Sequence, residues 1–356
     1  MANFDLVNLA LKATCPANEI ILDDKGLPSV MVRVPKLKNS DLYAGGDSST
    51  HPAWLVNGVE VPEIYISKYL NVVRGGRAYS LPGEDPASGM TWDTARSYCE
   101  AKGRGWHMMT KPEYAAIALW CKKNGFMPWG NNSYGKDSRE TLVKAIPATF
   151  DGEGKTLHTL TGTGPVEWSH DKTVNGIFDL NGNVSEWTGG VRTVFGEIQV
   201  QPNNNGADSS NLQTAVATTW RAIDATTGLF VVPNGTGTTP NSVKVDSVAS
   251  KPQFRSAIVT QSSDFSGIIS EITCDASVSA AAQAVLKAYG LLPDDAGFDY
   301  QGDRLYFNNV ADERLFHSGG HYISTTIAGV FYSGGYYYSR TVANGSIGFR
   351  SAYVKL

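Results

Sequence analysis

Two histidines, His317 and His321, stand four residues apart near the end of a chain of 356 residues. On one helix face that spacing presents two imidazoles to a single metal ion. Ser318, Gly319 and Gly320 lie between them and do not sustain a helix, so a loop or strand pair is the expectation and a metal pair the alternative. A second candidate is "NGNVSEWTGG" at 181–190. Asn181-Gly182-Asn183 reads as a tight turn tolerant of positive φ. Glu186 then places a carboxylate beside the indole of Trp187. One reading is a turn closed by side-chain hydrogen bonds, with Trp187 as a core plug. The other is a calcium site using Asn183, Glu186 and backbone carbonyls, for which a single carboxylate is thin. No H-E-x-x-H, G-x-S-x-G or G-x-x-x-x-G-K-[ST] occurs, so no catalytic motif is read, and no cofactor beyond the calcium candidate.

Composition narrows the classes. Hydrophobic residues make up 42%, charged residues 18%, and the net charge is -4. A nucleic-acid binder would show a basic stripe, so no nucleic-acid partner is expected. No apolar run has the length of a membrane span. The opening "MANFDLVNLALKATCPANEI" lacks a basic start before an apolar block, so no secretory signal is expected. Cys15, Cys99, Cys121 and Cys274 are scattered without a C-x-x-C pair, as in a reducing compartment or a disulfide-free particle.

The elements that must position these residues follow from periodicity. "MVRVPKL" (31–37) and "PEIYISKYLNVV" (62–73) alternate β-branched and aromatic residues and predict strands. Thr91 caps a helix with Ala95, Tyr98 and Cys99 on one face; its apolar stripe gives out at Lys102, and Gly103 stops it. Thr110 and Glu113 form a capping box with Pro112 in the first turn of a second helix. That helix buries Tyr114, Ile117, Ala118 and Cys121 and ends at Gly125. A further helix is predicted at "SAAAQAVLKAYG", ending at Gly290. From 191 to 313 the composition turns to Thr, Asn, Ser and Val, with short strand-like pieces such as "GEIQV" and "GLFVV". The block 314–356 has no helical period.

The order of motifs resembles the C-type-lectin-like fold of the formylglycine-generating enzyme group. "PASGMTWDTARSYCEAKG" resembles the segment through that group's first helix. "WHMMTKPEYAAIALWC" resembles its R-L-P-T-E-A-E-W-E helix, and "MPWGNN" its Y-P-W-G turn. "NGIFDLNGNVSEWTGG" resembles N-x-x-G-L-Y-D-M-x-G-N-V-W-E-W, and "HSGGHY" followed by "IGFRSA" its terminal R-G-G-S-W … G-F-R. The resemblance implies a single α+β lectin-like domain, two helices with short antiparallel strands and many loops, over 1–356. Within it, 1–30 is an N-terminal extension, 191–313 a long insertion and 314–356 a C-terminal binding region. Catalytic members hold copper through cysteines in the terminal block, and a related branch holds iron through three histidines. This chain has no cysteine after Cys274 and no such histidine set, so the fold is kept without the chemistry and no enzyme is expected.

"GGHYISTTIAGVFYSGGYYYSR" (319–340) carries five tyrosines among Ser, Thr and Gly, with Arg340 its terminal charge. An even spread of the chain's sixteen tyrosines would leave far fewer there. Tyrosine with small polar residues is the composition of a paratope. In the rival reading, a buried hairpin, Val330 and Phe331 are core. Neighbouring strand residues point to opposite faces, so at least one of Tyr336, Tyr337 and Tyr338 meets solvent if one face is covered.

The block also resembles the variable region of diversity-generating retroelement target proteins, in which adenine-directed errors randomise positions between a G-G-N-W start and an I-G-F-R end. His321 and Tyr322 here replace the Asn and Trp. The resemblance implies a diversified ligand-binding surface of His321, Tyr322, Ile323, Ser324, Thr325, Thr326, Ile327, Tyr332, Tyr336, Tyr337 and Tyr338. Gly319, Gly320, Gly348, Phe349 and Arg350 would be scaffold. The implied ligand is a protein or glycan on another cell or particle, and the implied location a phage tail, or a prokaryotic cytoplasm before assembly or export. Some relatives are trimers, so an oligomer is an expectation of the same kind. Two rivals remain open: a copper or iron oxidase of the formylglycine-generating group, and a structural virion component whose tyrosines pack on a neighbouring subunit.

Overall fold

The strand Pro28–Pro35 turns Val32 and Val34 into the core and Arg33 out to solvent, the inward–outward alternation its sequence carries. In the computed structural model, which describes residues 3–356, it sits in an antiparallel sheet of five strands. Their order is Asn18–Leu22, Pro28–Pro35, Glu63–Ser67, Ser351–Tyr353 and Trp106–Met108. The last strand of the chain is thus inserted between strands from its first third. The single strand expected over 62–73 divides into Glu63–Ser67 and Asn71–Arg74, which belong to different sheets.

Among the described residues five α-helices accompany the strands: α1 (Asn3–Thr14), α2 (Asn39–Leu42), α3 (Trp92–Glu100), α4 (Lys111–Lys123) and α5 (Ala280–Ala288). Three have side-chain caps, two of them, Thr91 and Thr110, as predicted. The Thr91 hydroxyl accepts from the Thr94 amide, and Ser279 does the same for Ala282. At α4, Thr110 accepts from the Glu113 amide while the Glu113 carboxylate accepts from the Thr110 amide at 2.9 Å, the reciprocal box. Glu113 is fully buried and also takes His107 Nε2 and Asn204 Nδ2, each at 2.9 Å. Burial disfavours both charges, yet their contact holds His107 above the usual imidazole range and Glu113 below the carboxylate range. Tyr114, Ile117, Ala118 and Cys121 are all buried, as expected.

Two expectations need correction. Helix α1 lies where only an extension was foreseen; its Leu6, Val7 and Leu9 are exposed, so no core-facing stripe announced it. Lys102, where the apolar stripe of α3 was said to give out, is completely buried. Its ammonium lies 3.2 Å from the centroid of the Trp106 ring and donates to Ser29 Oγ at 2.8 Å. A cation can enter an apolar face when an aromatic ring and a hydroxyl replace its water.

The second large sheet has twelve strands. Its centre is Ser185–Val194, buried along its whole length, flanked by Arg314–Ser318 on one side and Glu197–Val200 on the other. Segments of 191–313, among them Lys244–Val248, Lys251–Arg255 and Arg304–Phe307, hydrogen-bond into this same sheet. The insertion is therefore continuous with the C-terminal block through the backbone. Ile347–Phe349 runs parallel to the start of the central strand.

Removing the cap at α4 should be costly, because Thr110 Oγ1 also donates to Asn204 Oδ1 at 2.6 Å. Thr110→Ala is expected to lower unfolding free energy by about 1–2 kcal/mol, read as a shift in the urea midpoint at unchanged slope.

Candidate ligand-binding surface

The chain after Gly319 must cross the end of the second sheet, and its neighbours leave little freedom. Gly319 has φ +89, and a side chain there would meet Leu180 O and Tyr114 Oη at 2.9 Å. The segment 321–327 is then pinned by backbone. Tyr322 N donates to Asn183 O at 3.1 Å, Thr325 N to Asn132 O at 2.8 Å, and Tyr134 N to Tyr322 O at 2.8 Å. Within it Thr325 holds φ +52, a left-handed conformation unusual for a β-branched residue. His321 and Tyr322 are half-buried with rings 5.3 Å apart, Ile327 is half-buried, and Ile323, Thr325 and Thr326 are exposed. A cleft of about 250 Å³ adjoins Thr326, rimmed by Arg139, Asp299 and Gln301.

The second half of the block is an aromatic platform. Tyr337 is 59% exposed, with its ring centroid 3.8 Å from Tyr336 and 6.4 Å from Tyr338. Tyr336 stacks on Tyr306 at 4.7 Å, and Tyr338 meets Trp187 edge-on at 6.0 Å. Of the three consecutive tyrosines one faces solvent and two are half-buried, matching the alternation argument. Val330 and Phe331 are core, as read from the sequence.

Two predicted surface residues are not on the surface. Tyr332 is 5% exposed, wedged against Tyr306 and His317 at 5.7 Å each, with burial raising its hydroxyl pKa well above the usual value. Ser324 is buried because its Oγ accepts from the His321 amide at 3.0 Å and closes the turn. Both support the surface from beneath. Arg340 is not a free charge either. It takes both oxygens of Glu313, reaches Asp93 at 2.7 Å and lies over Trp92 at 4.8 Å, tying the block to α3.

Under the platform lies a buried polar layer that sequence reading missed. His317 belongs to the strand Arg314–Ser318 and not to a helix. Its ring lies among Trp187, Tyr332 and Tyr338 with neither nitrogen hydrogen-bonded. Burial, with Lys111 and His321 nearby, pushes its pKa down to about 3, so it is neutral. A side chain at Gly334 would sit 2.4 Å from His317 Nε2, so only glycine fits beneath the imidazole. Lys111, the first residue of α4, donates to Ser333 Oγ at 2.9 Å and Ser318 Oγ at 3.2 Å, and burial brings its pKa down to about 7. Tyr306 was missed because it is distant in sequence. Its strand Arg304–Phe307 buries Leu305 and Phe307 and leaves Tyr306 half-exposed, and that alternation was the available signal.

The calcium candidates are engaged by protein groups. Asn183, at φ +61, accepts from Thr159 N and donates to Thr159 O. Glu186 receives Arg350 Nε at 2.7 Å and Nη2 at 3.1 Å. Arg350, fully buried, also donates to the carbonyls of Ser67 and Phe178 at 2.8 Å. Burial raises the Glu186 carboxyl pKa and Arg350 opposes it. The turn-and-plug arrangement accounts for these atoms, with Trp187 buried and its indole N–H on Met90 O at 3.1 Å. The four cysteines are free thiols, and burial raises those of Cys99, Cys121 and Cys274. Among the described residues no three His, Cys, Asp or Glu side chains gather into a metal-holding group, and no helix is long and apolar enough to cross a membrane.

This is an α+β chain of C-type-lectin-like fold, and part of it is similar to known proteins. Residues 65–224 match the sulfatase-modifying factor enzyme 1-like domain. The inactive Cα-formylglycine-generating enzyme 2 of Bos taurus is 30% identical over 105 residues, covering 30% of this chain and 33% of that protein. The chain thus spans about a third of the length of that relative. Among solved structures, PvdO from Pseudomonas aeruginosa aligns over 95% of this chain and 98% of its own, at 12% identity and a TM-score of 0.37. The P3c variant of the Major Tropism Determinant aligns over 95% of this chain and 71% of its own, at 10% identity and a TM-score of 0.29.

Two measurements check the layer beneath the surface. Arg350→Ala leaves Glu186 charged and buried without its partner, and is expected to cost about 3–5 kcal/mol in urea unfolding. Lys111 has a folded pKa near 7, below its unfolded value. Below pH 7 both states carry the proton and the cost of burying the ammonium is fully present. Between 7 and the unfolded pKa only the unfolded chain stays protonated, so stability rises with pH. Lys111→Met is expected to gain most relative to the wild type at pH 6, with the difference in thermal midpoint falling towards pH 9.

Proposed function

We propose that this chain is a ligand-binding protein and not an enzyme, displaying a diversified face between Gly319 and Arg340 to a protein or glycan receptor on another cell or particle. The observation that carries the reading is the aromatic platform. Tyr337 stands out in solvent on rings that are themselves fixed, at 3.8 Å on Tyr336 and through Tyr338 on Trp187. A rigid, amphipathic ring presented this way contributes contact area with little loss of rotamer entropy on binding.

The contact residues are His321, Tyr322, Ile323, Thr325, Thr326, Ile327, Tyr336, Tyr337 and Tyr338, with Ser324 and Tyr332 as their supports. Variation at the exposed members Ile323, Thr325, Thr326 and Tyr337 alters what is bound without touching the core, which suits a surface meant to change. The engaged state of Asn183 and Glu186 supports a site that works without calcium. The bovine relative's designation as inactive supports a non-enzymatic role. A receptor-binding component of a phage tail is the setting that this reading favours.

Sequencing the gene across its natural source population tests it. Substitutions are expected to concentrate at the exposed and half-buried positions of 321–327 and 336–338, with Ser324, Phe331, Tyr332, Gly334 and Arg350 held fixed. Variation there no greater than in α3 and α4 would make the tyrosines a permanent feature and end the proposal.

A further inference from the structure

A second cleft, of about 490 Å³, opens elsewhere on the molecule and shares no residue with the C-terminal surface. It is walled by the hairpin Ser185–Val194 / Glu197–Val200, the loop 236–241 and the segment 256–261. The hairpin has a two-residue connection, Phe195-Gly196, with φ +44 and +78. Turns with positive φ at both central positions take Asn-Gly or Asp-Gly, because a bulky side chain is strained in the left-handed region. Here the first position is a phenylalanine, 39% exposed, that lines the cleft. Strain held at an exposed aromatic wants a reason, and binding supplies one.

The chemistry of the wall narrows the ligand. No carboxylate lines the cleft, which leaves nothing for a cation. Its one cationic residue, Lys244, is buried and spends its ammonium on Thr239 O, Ser242 O, Ser242 Oγ and Ser256 O at 2.7–3.2 Å, so it has no donor free for an anion. What remains is apolar surface from Phe195 and Ile258 beside the neutral donors and acceptors of Thr238, Asn241 and Gln261. An aromatic face bordered by amides and hydroxyls suits a ligand with an apolar C–H face and a rim of hydroxyls. The volume falls within the range of small-molecule sites. The geometry points to a neutral oligosaccharide site, with the Phe195 ring as the platform on which a pyranose stacks.

The test uses Phe195→Asn in the full chain. Asparagine favours the turn's conformation, so the variant should fold with a thermal midpoint no lower than the wild type. Saturation-transfer NMR with maltotriose, cellotriose and triacetylchitotriose is expected to show transfer from the wild type for at least one of them. Phe195→Asn should abolish that transfer, while Tyr337→Ala leaves it unchanged. The inference is overturned by no transfer from any of the three sugars, or by transfer that survives Phe195→Asn. Transfer lost with Tyr337→Ala and kept with Phe195→Asn would assign sugar binding to the C-terminal surface instead.

Discussion

The buried pair between Arg350 and Glu186 is the join on which the rest depends. Glu186 lies at the start of the central strand of the twelve-stranded sheet, and Arg350 sits between a strand of that sheet and the last strand of the five-stranded one. The same guanidinium takes the carbonyl of Ser67 from the smaller sheet and of Phe178 from the connecting loop. A planar group with five donors in a fixed fork can satisfy a carboxylate and two carbonyls at once, which lysine cannot. Each partner is buried only because the other is present, so the pair specifies how the sheets meet more than it adds net stability.

That join fixes the position of the C-terminal surface. The segment between Gly319 and Arg340 is bounded by paired strands, held at one end by the backbone of 131–134 and 183, and at the other by Arg340 on Glu313 and Asp93. Between these anchors the backbone is held, while the side chains of Ile323, Thr325, Thr326 and Tyr337 face solvent. The neutral His317 below lets aromatic rings pack on both of its sides without a charge to solvate. Lys111 beside it is the expensive member, an ammonium held by two serine hydroxyls and no carboxylate.

Local chemistry was legible in the sequence wherever it acts over a few residues. Thr91, and Thr110 with Glu113, announced their helices, because a cap is a contact between neighbours in the chain. That at least one of Tyr336, Tyr337 and Tyr338 meets solvent was read from their adjacency, though the three follow the strand Ser333–Gly335 and do not lie in it. Long-range chemistry was not legible. Lys102 looked like the end of an apolar stripe, since Ser29, the hydroxyl that receives its buried ammonium, lies 73 residues away. Tyr332 resembled its three downstream neighbours in composition, yet its burial is decided by Tyr306 in the insertion. The partner of Glu186 lies 164 residues away, so the carboxylate could be read as a ligand until Arg350 was seen beside it.

The segment 191–313 changes what the fold can do. By adding Lys244–Val248, Lys251–Arg255 and Arg304–Phe307 to the sheet that carries the C-terminal surface, it supplies Tyr306 as a floor for Tyr336 and builds a cleft of its own. Its polar loops end in tight turns closed by their own side chains, such as Asp224 accepting from the Thr226 and Thr227 amides and Asn234 from Thr236 and Thr238. Loops of that kind hold their shape through local hydrogen bonds, while the strands between them bury Ile198, Ile223, Val245 and Leu305 in the core. Two hairpin turns depart from that economy, Phe195-Gly196 and Ala249-Ser250, each holding a residue with a Cβ in the left-handed region, and Phe195 is the one that lines a cleft.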